Sequence, residues 1–333
     1  MKVGRIQRTS LDQDCVRLVA VFPEQGVVLD LASAEYARLR QEGATTDAAS
    51  RIASAVFPGS MSAAIGAGSF FAEATKRCIA SMPEKALLDL HSVSWLSPID
   101  PPMMRDFLTF EEHLHNAFVK GRGLPIPEVF YKRPIYYKGN SETLIGHEQE
   151  VIWPSYTDHL DYELELGFVI GKTGRDLTLE QATSYLFGVT ILNDFSARDI
   201  QRQEISGALG PAKGKDFATG VGPWIVTVDE LDVSGLTMIA RVNGDEWSRG
   251  SSAAMMWRPQ EIIAYISMGE GVHAGELFGT GTVGFGCGME LGRRLKPDDV
   301  VELEVEGIGV LRNSIGKKQK PGWMPSPRSS RLE

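Results

Sequence analysis

With 333 residues, 43% of them hydrophobic, the chain can bury at least one large core, which excludes a disulfide-stapled miniprotein and a disordered tail. Its 34 Lys and Arg against 43 Asp and Glu leave a formal charge of −9, so nothing global draws it to nucleic acid or an anionic membrane, and small molecules are the expected partners. Cys15, Cys78 and Cys287 are widely spaced and odd in number, and form no CxxC pair for zinc or disulfides; a reducing compartment fits. The start, Met1 to Ile6, has no apolar leader core, and Ser62 to Ala72 is too short and Gly-rich to span a bilayer, so the expectation is a soluble, cytoplasmic protein.

Two short β-like runs, Val16 to Phe22 and Gly26 to Leu31, are followed by helical spacing through Tyr36 to Leu39 and from Ala48 to Val56. These predict a small α+β unit over residues 1–97. The segment Ser97-Pro98-Ile99-Asp100-Pro101-Pro102 then punctuates the chain, because its three prolines continue neither a helix nor a central strand. Beyond it, over 98–333, short apolar runs alternate with Gly and Pro: Leu164 to Ile170, Phe187 to Leu192, Trp224 to Val228, Met238 to Val242 and Val300 to Val305. Their spacing predicts a β-rich α+β domain rather than repeated βαβ units. Peripheral helices are expected at Phe110 to Val119, Leu179 to Leu186 and Pro259 to Met268, and a loosely ordered tail from Lys317 to Glu333.

In Asp161-Tyr-Glu163-Leu-Glu165-Leu-Gly-Phe-Val-Ile170, strand alternation points both glutamates to one face and Leu164 and Leu166 to the other. A lone Glu-x-Glu is ordinarily a solvated strand face. Here the run continues apolar on both faces, and buried carboxylates need cations or donors. Asp194, at the end of the run Phe187 to Asn193, brings a third carboxylate to the mouth of the sheet. Such an all-oxygen set suits a hard divalent ion, Mg2+ first, with Mn2+ or Ca2+ as alternatives. In the following Phe195-Ser-Ala-Arg-Asp-Ile-Gln201, Ser196 or Asp194 is expected to cap a short helix that displays Arg198 and Gln201 at i, i+3 beside that ion. The competing reading is a surface Arg198 paired with Asp199 or Glu204.

Taken together, Glu163-Leu-Glu165, Asn193-Asp-Phe-Ser-Ala-Arg-Asp-Ile-Gln201, Gly214-Lys-Asp-Phe217 and Gly281-Thr-Val-Gly284 resemble, in order, the motif series of the fumarylacetoacetate hydrolase family, from about Arg105 to Asn313. The resemblance implies that family's β-rich mixed-sheet fold, a homodimer, and a divalent ion held by Glu163, Glu165 and Asp194. It also implies a fourth metal ligand at Asp106, a general base at His113, a carboxylate orienting that base at Glu290, and Lys215 beside the metal. By the same resemblance Thr282 binds the substrate carboxylate and Tyr137 contacts the substrate, while Arg198, Gln201 and Lys215 are expected as substrate-binding donors from their chemistry. Where the founding member of the family has two tyrosines, this chain has Leu108 and Ile205; Arg122 stands where a substrate-binding arginine would fall.

Members of the family cleave, decarboxylate, hydrate or isomerise oxo acids, so fold alone does not fix the reaction. A neutral imidazole at His113 suits the activation of water at pH 7. Lys215, Arg198 and Gln201 suit the stabilisation of negative charge on substrate oxygens. The expectation is hydrolysis of a carbon–carbon bond in a 1,3-dioxo, acylpyruvate-like acid. An oxaloacetate-type decarboxylase, an enol–keto isomerase or hydratase, or a catalytically silent metal-binding scaffold are the alternatives.

Overall fold

The run Leu164–Ile170, apolar on both faces in the sequence, is buried at every position and lies inside a twelve-stranded sheet in the computed structural model, which describes residues 1–9 and 14–329. Along that sheet the strands run Leu87–Asp89, Val27–Asp30, Asp14–Phe22, Lys2–Thr9, Thr219–Thr227, Leu186–Asn193, Leu164–Ile170, Leu277–Gly279, Met104–Phe107 and Tyr136–Gly139. Two short strands, Ser94–Trp95 and Leu144–Ile145, join it at Lys2–Thr9 and Thr219–Thr227. Successive main strands pair antiparallel, except that Leu277–Gly279 runs parallel to Met104–Phe107. The β-rich α+β class predicted from the sequence is the observed one.

Side chains alternate across this sheet and feed two cores. Leu166, Phe168, Ile191 and Phe278 face a second, four-stranded sheet and the helix Pro259–Ser267, meeting Met238, Leu303, Ile262 and Ile266. Val169, Leu192, Val221, Ile225 and Leu277 face the helices of the leading segment, meeting Leu31, Phe57, Ile65, Phe71 and Ala74. Each such fully buried side chain contributes on the order of 1.5–3 kcal/mol, enough to hold those helices against one face.

Residues 1–97 share the long sheet with the rest of the chain, because Lys2 and Val3 pair with Val226 and Ile225. The strand Lys2–Thr9 was not predicted: it buries Val3 on one face and Ile6 on the other, with Arg5 between them and Arg8 beyond, so no alternation is visible. The leading helices are well signalled at their starts. Asp30 accepts from Ser33 N (3.0 Å) to cap Leu31–Gln41, and Thr45 accepts from Ala48 N (3.3 Å) to cap Thr46–Val56. A further helix, Ser69–Ser81, buries Phe71, Ala74, Thr75 and Cys78.

In the second half, the helix expected from Phe110 to Val119 is α-helical over Glu111–Leu114 and widens to a π-helical stretch over His115–Lys120. The helix expected to reach Leu186 stops at Thr183, and Leu186 opens a strand. Residues 317–329 are exposed and carry no helix or strand; the last four positions of the expected loose tail, 330–333, lie outside the described residues. Among the described residues no helix is long and apolar enough to cross a membrane.

Candidate active site

Adjacent strands bring the carboxylates together. Asp106 lies in Met104–Phe107 and Glu165 in Leu164–Ile170, while Asp194 directly follows Leu186–Asn193. Register aligns them: Asp106 pairs with Gly279, Gly279's strand pairs with Leu164–Ile170, and Leu164 pairs with Asn193. By alternation Asp106 shares a face with Met104, and Glu165 with Val169, so the acids extend the face whose apolar part receives the leading helices. One oxygen each from Asp106, Glu165 and Asp194 lies within 4.8 Å of the others, and all three residues are buried.

Gly279 makes the room. A Cβ there would stand 2.4 Å from Asp106 Oδ1 and 3.0 Å from Glu165 Oε2. Asp106 Oδ1 and Asp194 Oδ1 are buried without a hydrogen-bond partner, and Glu165 accepts from Gly281 N (2.8 Å), a glycine in the left-handed region at φ +82°. Burial, then the charge of Asp194, pushes Asp106 well above the usual carboxylate range; burial, then Asp106 and Asp194, does the same to Glu165. Burial also raises Asp194, against the pull of Lys215. Crowded, buried, all-oxygen and with free lone pairs, the cluster fits a hard divalent cation. Gly279→Ala is therefore expected to push Asp106 aside and weaken Mg2+ or Mn2+ binding at least about tenfold, the lower end of the cost of losing even a ligand's supporting group. Isothermal titration would check it.

Glu163 stands apart from these three. Its Oε1 meets Arg198 Nη1 at 2.8 Å and its Oε2 accepts from Lys215 Nζ at 2.6 Å. Burial alone would raise it, but Arg198 and Lys215 outweigh burial and hold it far below the usual carboxylate range. Lys215 also donates to Asp194 Oδ2, so its ammonium links Glu163 to the acid cluster. Burial works against its charge, yet Asp194 and Glu163 prevail and keep Lys215 protonated. Three of the four expected metal ligands thus converge, while the fourth is engaged by two cations.

Arg198 begins the helix Arg198–Ser206 and is buried, not a surface partner of Asp199 or Glu204. Its Nε donates to Asp161 Oδ2 (2.8 Å) and its Nη1 to Gln201 Oε1 (3.1 Å), while Nη2 is buried without a partner. The expected side-chain cap is absent: Ser196 Oγ turns back to donate to Asp194 O (3.0 Å), and Ala197 is the capping residue.

His113 and Glu290 come from opposite ends of the family-like region and meet. His113 lies in Glu111–Leu114, 5% exposed, with Nδ1 3.1 Å from Glu290 Oε2 in a bent geometry that leaves Nδ1 without a hydrogen bond. Glu290, in the short helix Gly288–Leu291, accepts at Oε1 from Asn116 Nδ2 (2.8 Å) and Phe285 N (3.2 Å), and at Oε2 from Cys287 Sγ (3.3 Å). Burial alone would raise Glu290, but His113, Asn116 and Cys287 together hold it below the usual range.

The remaining expected contacts flank the acids. Tyr137 donates to Asp194 Oδ2 (2.7 Å), and Thr282 Oγ1 lies 3.4 Å from Glu165 Oε1. Leu108 is half-buried against Gly281, whose Cβ would meet the Leu108 Cα at 2.9 Å. Ile205 is 37% exposed near the end of its helix, and Arg122 is exposed, stacked on Phe118. Asp161 was missed as a functional residue. It holds Arg198 and also accepts from Gly288 N (2.9 Å) and Met289 N (3.0 Å), tying the arginine to the start of the helix that carries Glu290. Its place two residues before Glu163, in step with the alternation of Glu163 and Glu165, was the available signal in the sequence.

Residues 103–316 match the family model described as fumarylacetoacetate (FAA) hydrolase C-terminal. An oxaloacetate tautomerase of Bacillus subtilis (strain 168) is 32% identical, over 69% of this chain and 75% of that protein. Among solved structures, a fumarylacetoacetate hydrolase from psychrophilic Exiguobacterium antarcticum superposes with a TM-score of 0.68 at 25% identity, covering 95% of this chain and 99% of that one. The maleylpyruvate hydrolase of Sphingobium sp. SYK-6, in complex with manganese(II) and pyruvate, shares the fold at a TM-score of 0.69 and 21% identity, covering 96% and 100%.

Proposed function

Because the chain belongs to the fumarylacetoacetate hydrolase family, we propose that it is a divalent-metal-dependent hydrolase cleaving the carbon–carbon bond of a 1,3-dioxo acid with a neutral acyl group. Mg2+ is the proposed ion and a homodimer the proposed assembly. The observation that carries the hydrolytic reading is the placement of Glu290 Oε2 3.1 Å from His113 Nδ1. Decarboxylation needs charge stabilisation without a base, tautomerisation moves a proton between carbon and oxygen, and hydrolysis needs a base that takes a proton from water.

When bound, the ion supplies Lewis-acid stabilisation of the enolate that leaves. A modest turn of the ring aligns Nδ1–H of His113 with Glu290, which fixes the proton there and leaves Nε2 to accept one from water. The resulting hydroxide adds to the acyl carbon, the bond to the central carbon breaks, and the proton held at Nε2 passes to that carbon. The products are a carboxylic acid and a 2-oxo acid, pyruvate for an acylpyruvate. The free Nη2 of buried Arg198 is the donor left over for a substrate oxygen, with Gln201 on the same guanidinium, Lys215 sharing Glu163 with it, and Tyr137 and Thr282 beside the acids as further contacts. Half-buried Leu108 beside Gly281 favours an alkyl acyl group over a second carboxylate, which would lose its donors there.

A second reading, keto–enol tautomerisation of oxaloacetate, is favoured by the named relative of Bacillus subtilis. Three rates measured side by side separate the readings: acid release from acylpyruvates, carbon dioxide release from oxaloacetate, and oxaloacetate enol decay. Acid release is expected to dominate, and Glu290→Gln to slow it more than it slows either oxaloacetate reaction. Enol decay as the dominant rate would make the tautomerase the better reading.

A further inference from the structure

The same base belongs to a second constellation. One donor atom each from His113, Cys287 and Glu290 lies within 4.8 Å of the other two, separate from the all-oxygen group of Asp106, Glu165 and Asp194. Glu290 Oε2 is the shared vertex, 3.1 Å from His113 Nδ1 and 3.3 Å from Cys287 Sγ. The imidazole is 5% exposed and its Nδ1, 3.1 Å from the Glu290 carboxylate, has no hydrogen-bond partner, an orphaned buried nitrogen beside the thiol and carboxylate group.

We propose that His113, Cys287 and Glu290 form a second metal site, selective for thiophilic divalent cations such as Zn2+ and Cd2+, whose occupation switches the enzyme off. Nitrogen, sulfur and oxygen donors from three side chains, with a fourth position left for water, are the usual surroundings of such ions, whereas Mg2+ prefers the oxygen cluster. The backbone supports this grouping. Cys287 forms an isolated antiparallel backbone bridge with Glu163, and Asp161 fixes Gly288 and Met289, so the Cys287–Glu290 turn is held in place. Asn116, which steadies the other oxygen of Glu290, also lines a cleft with Glu111, Glu112 and Lys120.

Binding places the ion on Nδ1, on Oε2 and on the Cys287 sulfur, whose proton leaves to solvent. A neutral imidazole that gives Nδ1 to a metal carries its one proton on Nε2, the atom that must accept a proton from water. The switch-off therefore rests on His113 being the base proposed above; the binding does not.

The test uses the Mg2+-saturated protein carrying Cys15→Ser, which removes the half-buried thiol, titrated with Cd2+. A cadmium–thiolate absorption band is expected to rise to a plateau at one Cd2+ per chain, with turnover falling in step. Cys287→Ser, which keeps a hydrogen-bond donor beside Glu290, is expected to lose the band and to show no Cd2+ inhibition relative to its own starting rate. His113→Ala is expected to keep a weaker band, with Cd2+ affinity at least about tenfold lower. A band that survives in Cys287→Ser, or no band in the parent, would overturn the site. A full band with turnover unaffected would overturn the switch and the assignment of His113 as base while leaving the site in place.

Discussion

Replacing His113 with alanine lowers the turnover of an acylpyruvate by roughly 10²- to 10⁴-fold, the range for loss of a general base, and leaves Mg2+ affinity unchanged. The two halves of that result have separate structural reasons. The imidazole lies with Glu290 and Cys287, outside the group formed by Asp106, Glu165 and Asp194, so its removal takes no oxygen ligand away. What it removes is the acceptor for the proton of water, and the orienting Glu290 is then left buried with Asn116, the Phe285 amide and Cys287. Stopped-flow turnover and calorimetric Mg2+ binding on the same preparation check both halves. Turnover at the parent rate would place the base elsewhere.

The second large effect is on stability. With the ion chelated away, the thermal midpoint is expected to fall as pH rises from about 5 to about 8, and in saturating Mg2+ it is expected to stay nearly level. The sign follows from the acids. Asp106, Glu165 and Asp194 are all raised in the folded protein, chiefly by burial, so the fold holds protons that the unfolded chain releases above about pH 4. Unfolding then releases protons, and each unit of pH above that point costs up to about 1.4 kcal/mol per raised acid until its folded value is reached. A divalent cation replaces the protons as the source of neutralising charge and removes the slope. Glu165→Gln should raise the midpoint of the chelated protein at pH 8 and abolish its response to Mg2+. Equal slopes with and without the ion would show that the cluster is not where it binds.

The carboxylate core of the site was legible because strand alternation is short-range: Glu165 and the apolar Leu164–Ile170 run announce both a buried strand and a charge that needs a partner. Asp194 was legible for the same reason, as the acid at the end of Leu186–Asn193. Asp106, His113 and Glu290 carried no such local signal and were named through family resemblance, because what joins them is a parallel pairing and a turn that arrive from distant parts of the chain. The role of Cys287 was hidden altogether, since nothing near it in sequence indicates that an imidazole will face it. In the leading segment, Phe71, Ala74, Thr75 and Cys78 do carry helical spacing, but Gly66 and Gly68 just before them obscured it. The misjudged cap at Ser196 has another cause: the serine is buried, and its hydroxyl finds the Asp194 carbonyl instead of the next turn.

The pairing of Lys2 and Val3 with Val226 and Ile225 means that the leading segment cannot be treated as an optional attachment. Cutting the chain near Ser97 would strip Ile225 and Val226 of a neighbouring strand and bare Val169, Leu192, Val221 and Leu277 to water, creating a sticky edge beside a sticky face. The strands whose apolar face rests on that segment also carry Asp106, Glu165 and Asp194, with Gly279 between them. A loosening in the seat of the leading helices is thus transmitted along these strands to the spacing of three oxygens. Selection for metal affinity would therefore act on residues such as Phe71 and Ile65 that never approach a substrate.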